Sequence, residues 1–192
     1  MFTPWLALIM TCFALSVFPM SALGDTPANG KRIEAGGLSF GVPQIWVEEQ
    51  PTSAMRKAQL KIPATAPDTE STSLVLYYFG PNQGGSIEAN LTRWEEQFEV
   101  PSDIAPADAK KVATQTVAGM NVTTLEMAGT YVAPLSPRMP NQRHNKPNYR
   151  LFAAVVTTPD GNFFFKIVGP QQTMAQSREH FGQMIASLAW QN

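Results

Sequence analysis

Thiol chemistry is almost absent from this chain, because Cys12 is the only cysteine among 192 residues. No disulfide within the chain and no thiolate after residue 12 can contribute, so stability has to come from an ordinary core. Histidine is nearly as scarce, with only His144 and His180, and neither has a local cluster of Cys, Asp or Glu. A structural zinc site is therefore not expected, and neither is any other metal or cofactor. Charge is thin as well: 15% of residues are charged, and 14 Lys and Arg against 15 Asp and Glu leave a net charge of −1. That balance gives no basic stripe for a polyanion, so nucleic acid is not an expected partner. Internal repeats, heptads and any nucleophile–base arrangement are also missing, and no residue is assigned a catalytic role.

Residues 1–24 carry no charged side chain, and Trp5 to Leu23 is mostly apolar, interrupted by Ser16, Pro19 and Ser21. This pattern predicts a secretory signal peptide cut before Asp25, where Ala22-Leu23-Gly24 supplies the small residues a signal peptidase accepts. The lack of Lys or Arg before Trp5 departs from the usual pattern. An uncleaved membrane anchor is the alternative, weakened by Pro19 and the serines. Cys12 sits too early, behind a large Thr11, to serve as a lipid attachment site. The expectation is a periplasmic or secreted protein with no stable membrane span after cleavage. Residues 25–37 read as a flexible leader and 38–192 as a single domain, long enough to bury roughly 70% of its unfolded surface.

Leu38 to Val42 and Met55 to Ile62 read as strands separated by Pro43 and Pro51, and a Pro- and Thr-rich loop follows. Leu74 to Phe79 is apolar at every position, the mark of a strand covered on both faces. A helix is predicted from Ser86, a good N-cap, with Glu88 in its first turn favoured by the macrodipole. Ile87, Leu91, Trp94 and Phe98 fall on one face of it. Two hairpins follow, one about Ala118-Gly119 and one about Pro159-Asp160-Gly161, where proline, aspartate and glycine each suit a tight turn. A final helix starts after Pro170 with Thr173 and Gln176 in capping-box spacing, and it carries Phe181, Met184, Ile185 and Leu188 on one face. The class is α+β: an antiparallel sheet of about six or seven strands with a helix packed on each face. Val132 to Asn148 reads as a long irregular loop, of a length that is usually functional or disordered.

Particular phrases carry a resemblance. SAMRKAQ (53–59), YYFGPNQGGSIEANLTRWEEQF (77–98), GTY (129–131), FKIVGP (165–170) and ASL (186–188) are similar to phrases in a group of exported bacterial proteins of unknown function. In element order the chain also resembles the PsbP fold, shared by the extrinsic photosystem subunit and the Ran-binding Mog proteins. The resemblance implies an antiparallel sheet between helices and, by analogy, a protein that docks onto partners or binds a small ligand. It implies no catalytic residue.

Candidate ligand residues cluster where a strand runs into the first helix. In Gly80, Asn82, Gly84, Gly85 and Ser86, free N–H groups and the dipole together favour an anion, although glycine is also what any sharp reversal requires. It is not a nucleotide P-loop, since Ser86 stands where lysine is needed. Arg56 and Arg93 are the nearby cations, suited either to facing a carboxylate or to plain solvated ion pairs. A second candidate is the loop from Pro134 to Arg150, where Arg138, Arg143, His144, Lys146 and Tyr149 offer contacts to a protein or acidic envelope polymer, with simple disorder as the plainer reading. Gly37-Leu38-Ser39-Phe40-Gly41 matches a hydrolase GxSxG in letters alone, lacking a helix after it. His180 beside Glu179 points to a different helix face, and the sequons at Asn90 and Asn121 matter only in a glycosylating host.

The expected function is a non-catalytic, monomeric binding or interaction module. The alternative is a small hydrolase of the cell envelope working through carboxylates.

Overall fold

The structure is a computed structural model that describes residues 30–136 and 138–191. The expected signal peptide and residues 25–29 of the leader lie outside the described residues. Strand β1 (Lys31–Ala35) turns through Gly36 and Gly37 into β2 (Leu38–Val42), and β3 (Val47–Glu49), β4 (Arg56–Ile62) and β5 (Thr72–Tyr78) follow. Helix α1 (Ile87–Glu95) leads to β6 (Phe98–Glu99), the one-turn α2 (Pro106–Ala109), β7 (Lys110–Val117) and β8 (Met120–Tyr131). The chain closes with β9 (Pro134–Ser136), β10 (Met139–Arg143), β11 (Lys146–Thr158), β12 (Gly161–Pro170), α3 (Gln171–Ala186) and β13 (Ala189–Trp190).

An eight-stranded antiparallel sheet dominates, in the order β3-β4-β5-β12-β11-β8-β6, with β7 also paired to β8. That is more than the six or seven strands expected, and two further small sheets, β1-β2-β13 and β10-β9, accompany it. The surplus comes from stretches too short or too polar to announce themselves: β3, β6, β9 and β13 have three residues or fewer. Residues 31–37 of the expected flexible leader are ordered, because Ile33 and Ala35 alternate inward and Gly36-Gly37, both at positive φ, close a tight hairpin. β7 is solvent-facing almost along its length and, among the described residues, pairs on one side only, to β8.

Alternation along the central strands divides the core in two. Phe152, Ala154 and Val156 of β11 join Phe163, Phe165 and Ile167 of β12 on one face, beneath Met174, Phe181, Met184 and Ile185 of α3. On the other face Leu151, Ala153 and Val155 of β11 and Phe164 of β12 meet Trp94 of α1 and Phe98. Each such fully buried apolar side chain contributes roughly 1.5–3 kcal/mol. The expected helix cover on each face is not carried by this arrangement. The sixteen-residue α3 lies along the first face, whereas nine-residue α1 buries only Asn90 and Trp94. Ile87 and Leu91 stay half-buried, and Phe98 belongs to β6, not to the helix. The second face thus keeps a cleft above β5 and β12.

The ends of the two longer helices are fixed differently. Ser86 caps α1 as expected, its hydroxyl accepting from the Ala89 N–H at 3.1 Å. No capping box forms at α3. One of its first free N–H groups is met from the Pro- and Thr-rich loop instead, Thr173 N donating to Asp68 Oδ2 at 2.6 Å, while the loop's own Thr65 N donates back to Thr173 Oγ1 at 3.0 Å. No helix among the described residues is long and apolar enough to cross a membrane.

Candidate functional site

Lys166 is the one charged residue in the run Phe163 to Val168, and pairing places it in mid-sheet opposite Val75 of β5 and Ala153 of β11. Strand alternation turns its side chain to the second face, the same side as Phe164 and Val168. An ammonium there loses much of its water. Its Nζ donates to Gln97 Oε1 at 2.5 Å, and among the described residues no carboxylate pairs with it. Burial, followed by repulsion from the Arg93 guanidinium, lowers its pKa to about 8.

Two lobes of a cleft meet at this lysine. A cavity of about 330 Å³ is lined by Glu70, Ser71, Thr72, Ser73, Val75, Tyr77, Tyr131, Lys166, Val168, Gly169 and Pro170. A smaller one of about 170 Å³ lies beside α1 and is lined by Tyr77, Phe79, Asn90, Arg93, Trp94, Phe164 and Lys166. Lys166 and Tyr77 wall both. The larger lobe is rich in hydroxyls and the smaller one in aromatic rings. Phe79, 40% exposed, stands at the rim of the smaller lobe, its ring stacked at 6.1 Å on Tyr77 and edge-on to Phe164 at 5.7 Å.

A latch of charged and hydroxyl groups borders the larger lobe. Tyr149 Oη donates to Glu70 Oε2 at 2.6 Å, Lys146 Nζ donates to Glu70 Oε1 at 2.5 Å, and Lys146 lies 5.3 Å from the Tyr149 ring centroid. Hydrogen bonds from Lys146 and Tyr149 hold the Glu70 carboxyl below its usual range, and the same bond to Glu70 raises Lys146. Burial, then the bond to Glu70, raises Tyr149, and burial raises Tyr131.

The predicted ligand residues divide. Arg93 lines the smaller lobe, while its Nη2 donates to the buried Asn90 Oδ1. Asn90 in turn donates from Nδ2 to the carbonyls of Gly84 and Ser86, both at 2.8 Å. The turn therefore supports the cleft from behind, and neither lobe is walled by Gly80, Asn82, Gly84, Gly85 or Ser86. Its glycines answer to packing: a Cβ on Gly84, at φ +89°, would sit 2.7 Å from the Phe164 ring. Arg56 lies over the Tyr77 ring at 5.7 Å and donates to Gln59 at 2.7 Å, outside both lobes.

The second candidate stretch is not an irregular loop. It forms the β9-β10 hairpin, and three of its five candidate residues turn inward: His144 stacks on Tyr131 at 5.1 Å, and Lys146 and Tyr149 join the latch. Arg138 and Arg143 remain exposed, near the exposed side chains of Leu135 and Met139. The GxSxG lies in the β1-β2 hairpin, where buried Ser39 accepts from Arg32 Nη2 at 2.8 Å. His180 sits edge-on to Trp46 at 6.2 Å.

Sequence reasoning did not single out Lys166, Tyr77, Tyr131 or Glu70. The signal for Lys166 was present: a lone charge inside FFFKIV, a strand expected to be buried on both faces.

No protein-family model matches the chain, and no curated protein matches it in sequence. Solved structures do. The solution structure of a cyanobacterial PsbP (CyanoP) from Synechocystis sp. PCC 6803 superposes with a TM-score of 0.50 at 12% identity, covering 90% of this chain and 99% of that one. A crystal structure of a protein of unknown function from Pseudomonas aeruginosa matches at a TM-score of 0.46 and 13% identity, over 85% and 98% of the two chains. The first likeness establishes a loosely PsbP-like fold, mostly antiparallel sheet with few helices.

Proposed function

We propose that this chain is an exported, non-catalytic binding module of the periplasm or extracellular space, working as a monomer and seating an anionic ligand in the cleft at Lys166. One observation carries the reading: Lys166 and Arg93, two cations close enough to repel, face a cleft with no carboxylate paired to either among the described residues. A site that keeps charge partly desolvated and uncompensated is set up for a ligand to supply the counter-charge. The hydrolase alternative needs two carboxylates roughly 5–10 Å apart. Glu70 is the one carboxylate lining either lobe, and it is engaged by Lys146 and Tyr149, which weighs towards binding. The exposed Arg138 and Arg143 beside Leu135 and Met139 suit a secondary contact with a protein or an acidic envelope polymer.

The test is a thermal-shift panel of organic and inorganic anions, run on the native chain and on Arg93→Met with Lys166→Met. A ligand at 100 times its dissociation constant adds about 2.7 kcal/mol, raising the midpoint by roughly 5–10 °C for a chain of this size. The double variant should lose that rise. If no anion shifts the native midpoint, the reading fails. Mass spectrometry of the protein taken from the envelope fraction checks the export part, with Asp25 expected as the first residue.

A further inference from the structure

The smaller lobe is more selective than a bare anion site. Four of its seven lining residues are aromatic, namely Tyr77, Phe79, Trp94 and Phe164, and its two cations, Arg93 and Lys166, reach it from different elements. Apart from the Tyr77 hydroxyl and the Trp94 indole N–H, its remaining polar group is the Asn90 amide, already committed to Gly84, Ser86 and Arg93. The lobe thus offers chiefly positive charge and ring surface. At about 170 Å³ it falls below the roughly 300–1,000 Å³ of sites for drug-sized ligands, which limits the occupant to about one ring. Phe79 is also unusual for an apolar ring, being 40% exposed at the rim although its neighbours Tyr77 and Phe164 offer it a stack. A flat ligand entering the lobe would cover it.

We infer that the smaller lobe binds a small aromatic carboxylate, its ring against Phe79, Phe164 and Trp94 and its carboxylate between Lys166 and Arg93. This rests on the anion-binding reading above and narrows it to a ligand class. Arg93, Tyr77, Tyr131 and, across the larger lobe, Glu70 are the ionisable or charged groups that face Lys166. Glu70 is held ionised by its hydrogen bonds and Tyr131 is held neutral by burial, so Lys166 is the group whose proton controls affinity in mildly alkaline solution. Affinity for the carboxylate falls as pH rises through about 8, where the ammonium is lost.

Calorimetric titration of the full chain with benzoate, acetate, sulfate and benzyl alcohol decides the matter. Benzoate is expected to bind at least tenfold more tightly than each of the other three at pH 7, and to weaken severalfold by pH 9. Phe79→Ala, an exposed site whose loss leaves the core intact, should weaken benzoate severalfold and leave acetate unchanged. Lys166→Met should weaken benzoate tenfold or more without lowering the melting midpoint. Acetate or sulfate binding as tightly as benzoate would overturn the aromatic class and leave the anion site standing. Benzyl alcohol equal to benzoate would overturn both, since charge would then be idle. Failure of benzoate to bind while a larger anion shifts the melting midpoint would overturn this inference alone.

Discussion

Lys166 carries a cost to folding that its neighbours do not offset. Its folded value of about 8 lies below the ordinary 10.5, so between those limits the unfolded chain holds a proton that the folded chain has released. Stability therefore rises as pH climbs from about 8 towards 10.5, by at most about 3 kcal/mol. Urea midpoints measured across that window should rise for the native chain and stay flatter for Lys166→Met; parallel curves would show the ammonium to be fully solvated. Glu70 works in the opposite direction. Its carboxyl is held below 4.5, so its contribution is complete above that value and disappears as pH falls through the lowered one. Gly84 is the other decisive residue. Alanine there would adopt a strained positive φ and press its methyl to within 2.7 Å of the Phe164 ring, a combined loss of about 2–4 kcal/mol. A Gly84→Ala midpoint within error of the native one would mean the turn can swing clear of the sheet.

Among the elements, α1 and α3 are tied down by different means, and each makes a prediction. Trp94 is the one large apolar side chain of α1 that is buried, so Trp94→Ala should cost about 3–5 kcal/mol in chemical denaturation. Asp68 caps α3 from 105 positions away in sequence. Asp68→Ala should remove about 1 kcal/mol, with hydrogen exchange rising first at the Thr173 amide. Exchange unchanged at that amide would show that another group takes over the cap. The same two helices show what could be read from the sequence. Ser86 and the spacing of Ile87, Leu91 and Trp94 are local signals, and the start and inward face of α1 follow from them. The Thr173–Gln176 spacing does not predict the α3 cap, because the group that fills it comes from a distant loop, and no local pattern encodes that meeting. The cleft was legible only in part for the same reason. Arg93 stood out as a cation beside a defined helix, but Lys166 acquires its meaning from register, once pairing with Val75 and Ala153 fixes the face it points to. Tyr131 and Glu70 are brought to the cleft by β8 and by the loop before β5, a pairing of distant segments.

Over the whole molecule, the two faces of the large sheet are unequal. One is roofed by α3; the other is roofed only beside α1 and carries the cleft. Burial on the first face is nearly complete, as Phe163, Phe165 and Ile167 at 0% exposure show, so ligand effects should be confined to the second. Unequal margins accompany the unequal faces. The sheet ends at three-residue β3 on one side, while along the other eight-residue β7 presents a row of backbone donors and acceptors with no strand beyond it among the described residues. Lys110 and Lys111 guard only its first two positions, and Lys110 is neutralised by Glu95 at 2.7 Å. From Val112 to Val117 the rim is uncharged and free to template another chain, so crowded or high-salt preparations should cluster through this margin, and a lysine at Thr114 should keep them dispersed.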